Sequence, residues 1–281
     1  MSTSPDAPAN TLPAGERMAV VRSAIAPIHG EPRVSSPQIS QRLAWHPVEL
    51  LERRGDWYHV RGLDRYEGWM HAGYLAPASS IGSVPIAEWP SVGRRSLGCV
   101  VRGPDGHLRG LPVGAFVHPD ERIEFGRAVP PAELREEFPL GDARSTVRFG
   151  SVYFEGAPYV WGGVSPWGCD CSGFVQSVFE VHGVTLPRDA WQQAEAGASI
   201  SGGLDSAVAG DLLFFSDRPD GRITHVGLGL GELRMVHVAV GRGGFSLETL
   251  DGSTDDYAHG LLERFRFARR YVGLPTGAGA A

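Results

Sequence analysis

The sequence predicts an α+β architecture: one or two small β-barrels, followed by a domain whose helices precede its sheet. Three observations carry this. Between Met18 and Phe125, short apolar runs recur at close spacing with turn residues between them. From Ser172 to His182, Phe174, Val175, Val178 and Phe179 share one helical face, and Gly183 is a natural stop. After residue 210 apolar strands return. The 38 glycines and 21 prolines among 281 residues supply the turns that short strands need.

Residues 1–16, rich in Ser, Pro, Ala and Thr, are expected to form a flexible leader. Strands are expected at Met18–Val21, Pro47–Leu51, Asp56–Val60, Tyr66–Met70 and Gly73–Leu75. Within Asp56–Val60, Trp57 and His59 alternate with Tyr58 and Val60, the period of a half-buried strand. So many short strands suggest a barrel over 17–78, and Gly55-Asp-Trp57, Val60, Gly68-Trp69 and Leu75 resemble a bacterial SH3-like (SH3b) domain. Leu97–Val101, the turn Gly103–Gly106, Leu111–Val117 and Glu121–Phe125 repeat the theme, so 79–128 is read as a second, weaker barrel. Residues 129–141, with Pro130-Pro131 and Pro139-Leu-Gly141, are read as a linker.

From Asp142 the pattern changes, and 142–273 is expected to be a single domain. Asp142 is a candidate N-cap for a helix running to Phe154. A Gly/Pro-rich loop (157–170) and the helix from Ser172 follow. Asp211–Phe215 is a buried strand, 223–230 and 234–240 form a hairpin, and Phe245–Leu250 and Arg264–Tyr271 are further strands. Residues 274–281 are a loose tail.

Composition excludes some functions. The net charge is −6 and no Lys/Arg cluster is visible, which argues against a nucleic-acid partner. Three cysteines do not make a disulfide scaffold. Met1–Gly15 lacks a basic start and an apolar core of signal-peptide length. No apolar run approaches the ~20 residues that span a bilayer. The expected location is the cytoplasm, with no membrane partner.

The chemistry centres on Cys171. It is expected in the first turn of a helix, where unpaired N–H groups favour the reactive thiolate. A free Cys is more often a core plug, but here Asp170 and Ser172 flank it with polar groups. A hairpin centred on Gly231 would set His225 directly opposite His237, with Cβ atoms about 5 Å apart. One ring could then orient the other, as the third member of a Cys–His triad orients the base. The Cys171 N–H is a candidate oxyanion donor, and Tyr159 is either a further donor there or a core aromatic beside Trp161. Cys169, Cys171, His225 and His237 could be imagined as zinc ligands, but Cys-x-Cys is not the usual spacing, and no metal or other cofactor is expected.

Tyr159-Val-Trp-Gly-Gly163, Asp170-Cys-Ser-Gly-Phe-Val175, Leu186-Pro-Arg-Asp189, Gln192-Gln193, Gly210-Asp-Leu-Leu-Phe-Phe215 and His225-Val-Gly227 occur in that order. Over residues 142–272 they resemble the NlpC/P60 cysteine peptidases, and Cys before His fits their papain-like topology. The resemblance implies Cys171, His225 and His237 as a catalytic triad. With the SH3b region, the layout resembles γ-D-glutamyl-L-diamino acid endopeptidases, which cut peptidoglycan stem peptides bearing a free N-terminal L-Ala. It implies murein-derived small peptides as partners and a role in cell-wall recycling. Asp170 and Tyr66 would meet the substrate amine, with Ser172 and Asp189 as further substrate-binding candidates. A Ser often seen near Asp189 in that group is Ala190 or Trp191 here. Two alternatives stand beside this: a wall-peptide binding module with an inert papain-like domain, and a lytic hydrolase of intact peptidoglycan.

Overall fold

The computed structural model describes residues 17–252 and 255–271. The expected leader (1–16) and tail (274–281) lie outside them. The chain divides into two compact units between Pro131 and Ala132.

The first unit opens with a seven-stranded antiparallel sheet. Its strands are β1 (Met18–Val21), β2 (Ile25–His29), β3 (Gln38–Leu43), β4 (Pro47–Arg54), β5 (Trp57–Arg61), β6 (Glu67–His71) and β7 (Leu75–Pro77). Their order is β3-β2-β6-β5-β4-β1-β7. Ala19, Val21, Ala26, Ile28, Val48, Leu50, Val60 and Met70 form the core, the alternate residues of each strand turned inward. Two strands escaped the sequence pattern. β2 carries Pro27, and β3 buries polar Ser40, Gln41 and Arg42. Arg42 is tolerated there because Asp64 pairs with it. Gly73 and Tyr74, expected in a strand, lie instead in a 3-10 turn (Ala72–Tyr74) capped by the His71 side chain.

A short helix α1 (Trp89–Val92) leads into a four-stranded sheet: β8 (Arg94–Arg102), β9 (Leu108–Leu111), β10 (Phe116–Val117) and β11 (Arg122–Val129). The run 111–117 is not one strand, because the chain turns at Pro112–Ala115 and Gly114 takes φ +90°. Nor is this sheet an independent module. Val20, Ile81, Trp89 and Phe116 share one buried cluster. The Trp89 indole donates to the Trp45 carbonyl (2.9 Å), and Phe116 N–H donates to the Ala44 carbonyl (3.0 Å). The expected linker is also structured. β11 runs to Val129, and Pro131 starts helix α2 (Pro131–Glu137), where its missing N–H costs nothing.

The second unit is α+β. Helix α3 (Ala143–Tyr153) is capped by Asp142, which accepts from Ser145 N–H. A small ribbon, β12 (Val164–Ser165) with β13 (Gly168–Cys169), leads into α4 (Cys171–Val181), which stops at Gly183 with φ +79°. A short helix α5 (Ala190–Gln193) follows. The sheet comprises β14 (Ala198–Ser199), β15 (Leu212–Phe215), β16 (His225–Gly231), β17 (Arg234–Ala239), β18 (Gly244–Thr249) and β19 (Phe265–Arg270), in the order β14-β19-β15-β16-β17-β18. Helix α6 (Asp256–Arg264) precedes β19. Phe174 of α4 packs edge-on to Phe154 and Phe245. Gly150 lets α3 approach, since a Cβ there would stand 3.0 Å from Leu228 Cδ2.

The β16–β17 register differs from the sequence expectation. The turn is Glu232-Leu233, both with positive φ, the shape a two-residue hairpin requires. A bulge between Gly229 and Gly231 then sets Leu228 opposite Val236 and Gly229 opposite Met235. The pairing is not centred on Gly231, so His225 and His237 are diagonal neighbours rather than direct opposites.

Candidate active site

Cys171 is the first residue of α4, and Asp170 is its N-cap, accepting from Gly173 N–H at 2.8 Å. The first turn is held against the preceding loop. A Cβ on Gly173 would stand 2.0 Å from the Gly163 carbonyl oxygen, so only glycine fits this step of the motif. The buried Arg188 clamps the same place. It donates to both Asp170 oxygens (3.0 and 2.7 Å), to Ser172 Oγ (2.9 Å) and to the Gly163 carbonyl (3.4 Å). Gly162 N–H adds a further bond to Asp170 Oδ2 at 2.8 Å. Gln193 donates to the carbonyls of Ser172 and Pro187.

Backbone N–H groups of Val226 and Ser172 hydrogen-bond the Cys171 sulfur, which sets the sulfur beside the start of β16. Burial pushes the thiol up to about 12; the Asp170 charge adds to this, and those N–H groups and Arg188 oppose it. Burial pushes His225 down to about 3, with His237 and Arg264 acting in the same direction. Taken singly, burial favours the neutral form of each group. Burial penalises either charge alone but penalises an adjacent pair of opposite charges far less.

His225 Nε2 lies 2.7 Å from His237 Nδ1, with the rings nearly perpendicular at 76°. The diagonal contact has room because the intervening residue is Gly227, where a Cβ would stand 3.5 Å from His237 Cβ and 2.7 Å from Met235 Sδ. His237 is fully buried, and its Nε2 faces Glu248 Oε1 at 3.4 Å. Glu248 also accepts from Arg242 (2.8 and 2.9 Å) and from Ser246 (2.7 Å). Burial alone would raise its carboxyl, but the bonds from His237, Arg242 and Ser246 win and hold it well below the usual range.

Tyr159 lies on the loop beside β13, bridged to Cys169. Burial, then the nearby Cys171 and Asp170, pushes its phenol up to about 12, so it remains a donor. Cys169 is fully buried and its thiol is raised by burial. Among the described residues, no three His, Cys, Asp or Glu side chains are grouped to hold a metal ion.

The expected substrate-binding residues also make contacts within the fold. Asp170 accepts from Gly162, Gly173, Ser172 and Arg188, and Arg188 is its ion-pair partner. The Ser172 hydroxyl is bonded to Arg188 and Asp170. Asp189 caps α5 in a capping box with Gln192. Tyr66 belongs to the first unit, on the turn before β6, where its N–H donates to Asp64 at 3.0 Å. Sequence reasoning assigned no role to Arg188, Arg242 or Glu248. A signal existed for Glu248: on β18 it is buried while its neighbour Leu247 is 56% exposed, an inversion of the usual pattern.

The comparisons agree with this geometry. The NlpC/P60 family model matches residues 156–259, and the bacterial SH3 domain model matches residues 26–76. A gamma-D-glutamyl-L-lysine dipeptidyl-peptidase of Bacillus subtilis is 47% identical over 98 residues, 34% of this chain and 32% of that one. Its namesake from Bacillus cereus is 32% identical over 139 residues, 49% of this chain and 39% of that one. The chain thus matches well under half the length of either relative. A crystal structure of an NlpC/P60 family protein from Bacillus cereus superposes with a TM-score of 0.72, covering 91% of this chain and 99% of that one. At 19% identity that likeness is one of fold. The second unit holds an NlpC/P60 domain, and the first holds a bacterial SH3 domain.

Proposed function

We propose, starting from this NlpC/P60 domain, that the protein is a cysteine peptidase that hydrolyses peptidoglycan stem peptides at the bond between γ-D-Glu and the L-diamino acid. The observation that carries the proposal is a thiol at a helix N-terminus beside the strand that presents His225, with His225 bonded to His237 at 2.7 Å. A binding module has no use for that set. The names of the two Bacillus relatives support the choice of bond.

In this mechanism His225 Nδ1 takes the Cys171 proton as Sγ attacks the amide carbonyl. The Cys171 N–H and the Tyr159 hydroxyl face the oxyanion. His225 then protonates the departing amine of the diamino acid, leaving an acyl-enzyme. Water, deprotonated by His225, releases L-Ala-D-Glu and restores the thiol. We further propose that the natural substrates are small murein-derived peptides with a free L-Ala amine, recycled in the cytoplasm. Asp170 remains the candidate for meeting the free amine, as the sequence resemblance implies, with Tyr66 as the second candidate.

The test is hydrolysis of L-Ala-γ-D-Glu-L-diamino acid and its N-acetylated twin, read by mass spectrometry with wild type and Cys171→Ala. Release of L-Ala-D-Glu by wild type alone, from the free-amine peptide alone, is the expected result. Cleavage of both peptides removes the amine preference, and cleavage of neither removes the peptidase. A relative named murein DD-endopeptidase/LD-carboxypeptidase, from Escherichia coli, is 37% identical over 103 residues. A crosslinked muropeptide therefore belongs in the same assay, and cleavage there would move the assignment to the wall polymer.

A further inference from the structure

The histidine pair does not end at His237, and the group behind it dictates where the protons lie. A carboxylate only accepts hydrogen bonds. Glu248 Oε1 faces His237 Nε2, so that nitrogen carries the hydrogen. In a neutral ring the other nitrogen, Nδ1, is then the acceptor. His225 Nε2 stands 2.7 Å from it and must donate. A neutral His225 that donates through Nε2 has its lone pair on Nδ1, the nitrogen left to receive the thiol proton.

We propose that Glu248 is a positioning residue that sets the tautomers of both His237 and His225, so that the basic nitrogen of His225 is Nδ1. This rests on the peptidase reading above for its purpose, but not for its test. Reversing the His237 tautomer would reverse the whole relay. His237 would donate to His225 Nε2, and His225 would carry its hydrogen on Nδ1 with no lone pair for the thiol.

Arg242 gives the relay its second requirement. The carboxylate must be held with Oε1 toward His237 Nε2 for the relay to keep its direction. Arg242 binds both Glu248 oxygens and is itself bonded to Asp255 at 2.6 Å. It fixes the Glu248 carboxylate so that Oε1 stays turned to His237 Nε2. The remaining groups facing the relay are few. Ser246 donates to Glu248. The Tyr257 ring lies 6.1 Å from the His237 ring and under the Arg242 guanidinium. Arg264 acts on His225 from α6. Among these groups, the carboxylate that reaches His237 Nε2 is that of Glu248, while Asp255 is engaged with Arg242.

The experiment is 15N NMR of histidine-labelled full-length protein at neutral pH, alongside kcat and KM on the stem peptide. In wild type, His225 and His237 should both show the Nε2–H tautomer. Glu248→Leu should lose that signature in both rings and lower kcat 10- to 100-fold with little change in KM. Glu248→Gln, whose carbonyl can still accept at the Oε1 position, should retain the tautomers and most of the turnover. A wild-type Nδ1–H tautomer on either ring overturns the proposal, as do unchanged tautomers in Glu248→Leu. If the tautomers behave as stated but wild type cleaves no peptide, the relay stands and the peptidase reading fails.

Discussion

Replacing Asp170 with Asn separates the two duties that its position allows. Asn caps helices about as well as Asp, so the bond from Gly173 N–H survives. The charge does not. Arg188, with 1% of its side chain exposed, loses the carboxylate of its buried ion pair. Breaking a buried pair on one side costs about 3–5 kcal/mol. Ser172 Oγ and the Gly163 carbonyl still accept from the guanidinium, which points to the lower end, about 3 kcal/mol. For a unit of this size that lowers Tm by roughly 6–12 °C. The assay is thermal unfolding by circular dichroism, paired with the rate at which iodoacetamide alkylates Cys171. The single variant should melt early and alkylate differently, because its helix start has loosened. Adding Arg188→Met should recover most of the loss, since the pair is then removed together. An Asp170→Asn protein that melts with wild type but loses selectivity for free-amine peptides would refute the structural reading and leave the carboxylate only its substrate role.

Gly173→Ala puts a Cβ 2.0 Å from the Gly163 oxygen; overpacking of that kind should cost about 2–3 kcal/mol, visible in urea melts, and unchanged stability would show that the loop yields freely. Stability should fall as pH drops below about 6.5. The folded state holds His225 down near 3, so between those values the unfolded chain binds a proton there and the native protein does not. Glu248 has the same sign: its lowered carboxyl contributes stability above its unfolded value that is lost on acidification. Melts from pH 7 to 4 that rise or stay flat would contradict both. Because burial holds the Cys171 thiol up, its alkylation in the resting enzyme should climb with pH from 6 to 9. A plateau already reached at pH 6 would mean that a thiolate–imidazolium pair exists before substrate binds.

The features that were legible in the sequence share one property: their signal is local. Asp142 and Gly183 mark helix ends by their own chemistry, and Phe174, Val175, Val178 and Phe179 carry the helical period without reference to any partner. What escaped depends on distant residues. β3 buries Arg42 only because Asp64 meets it, so its polar sequence does not look like a strand. The β16–β17 register turns on the positive φ of Glu232 and Leu233 and on one bulge, and neither is written in the hydrophobic pattern. Arg188 and Glu248 lie 17 and 77 positions from Cys171 in the numbering, and only folding brings them to the helix start and the histidine pair.

The cluster of Val20, Ile81, Trp89 and Phe116 has a consequence for how such a chain can be assembled and cut. A break after residue 78 would strip Val20 of its partners and leave Trp45 without the Trp89 and Glu121 groups that bond it. The remaining piece would begin with an exposed indole and an unsupported Phe116. Neither β-module can therefore travel without the other. In recombination, as in truncation, the seam that costs least runs near Pro131, and the two sheets before it move as one cassette.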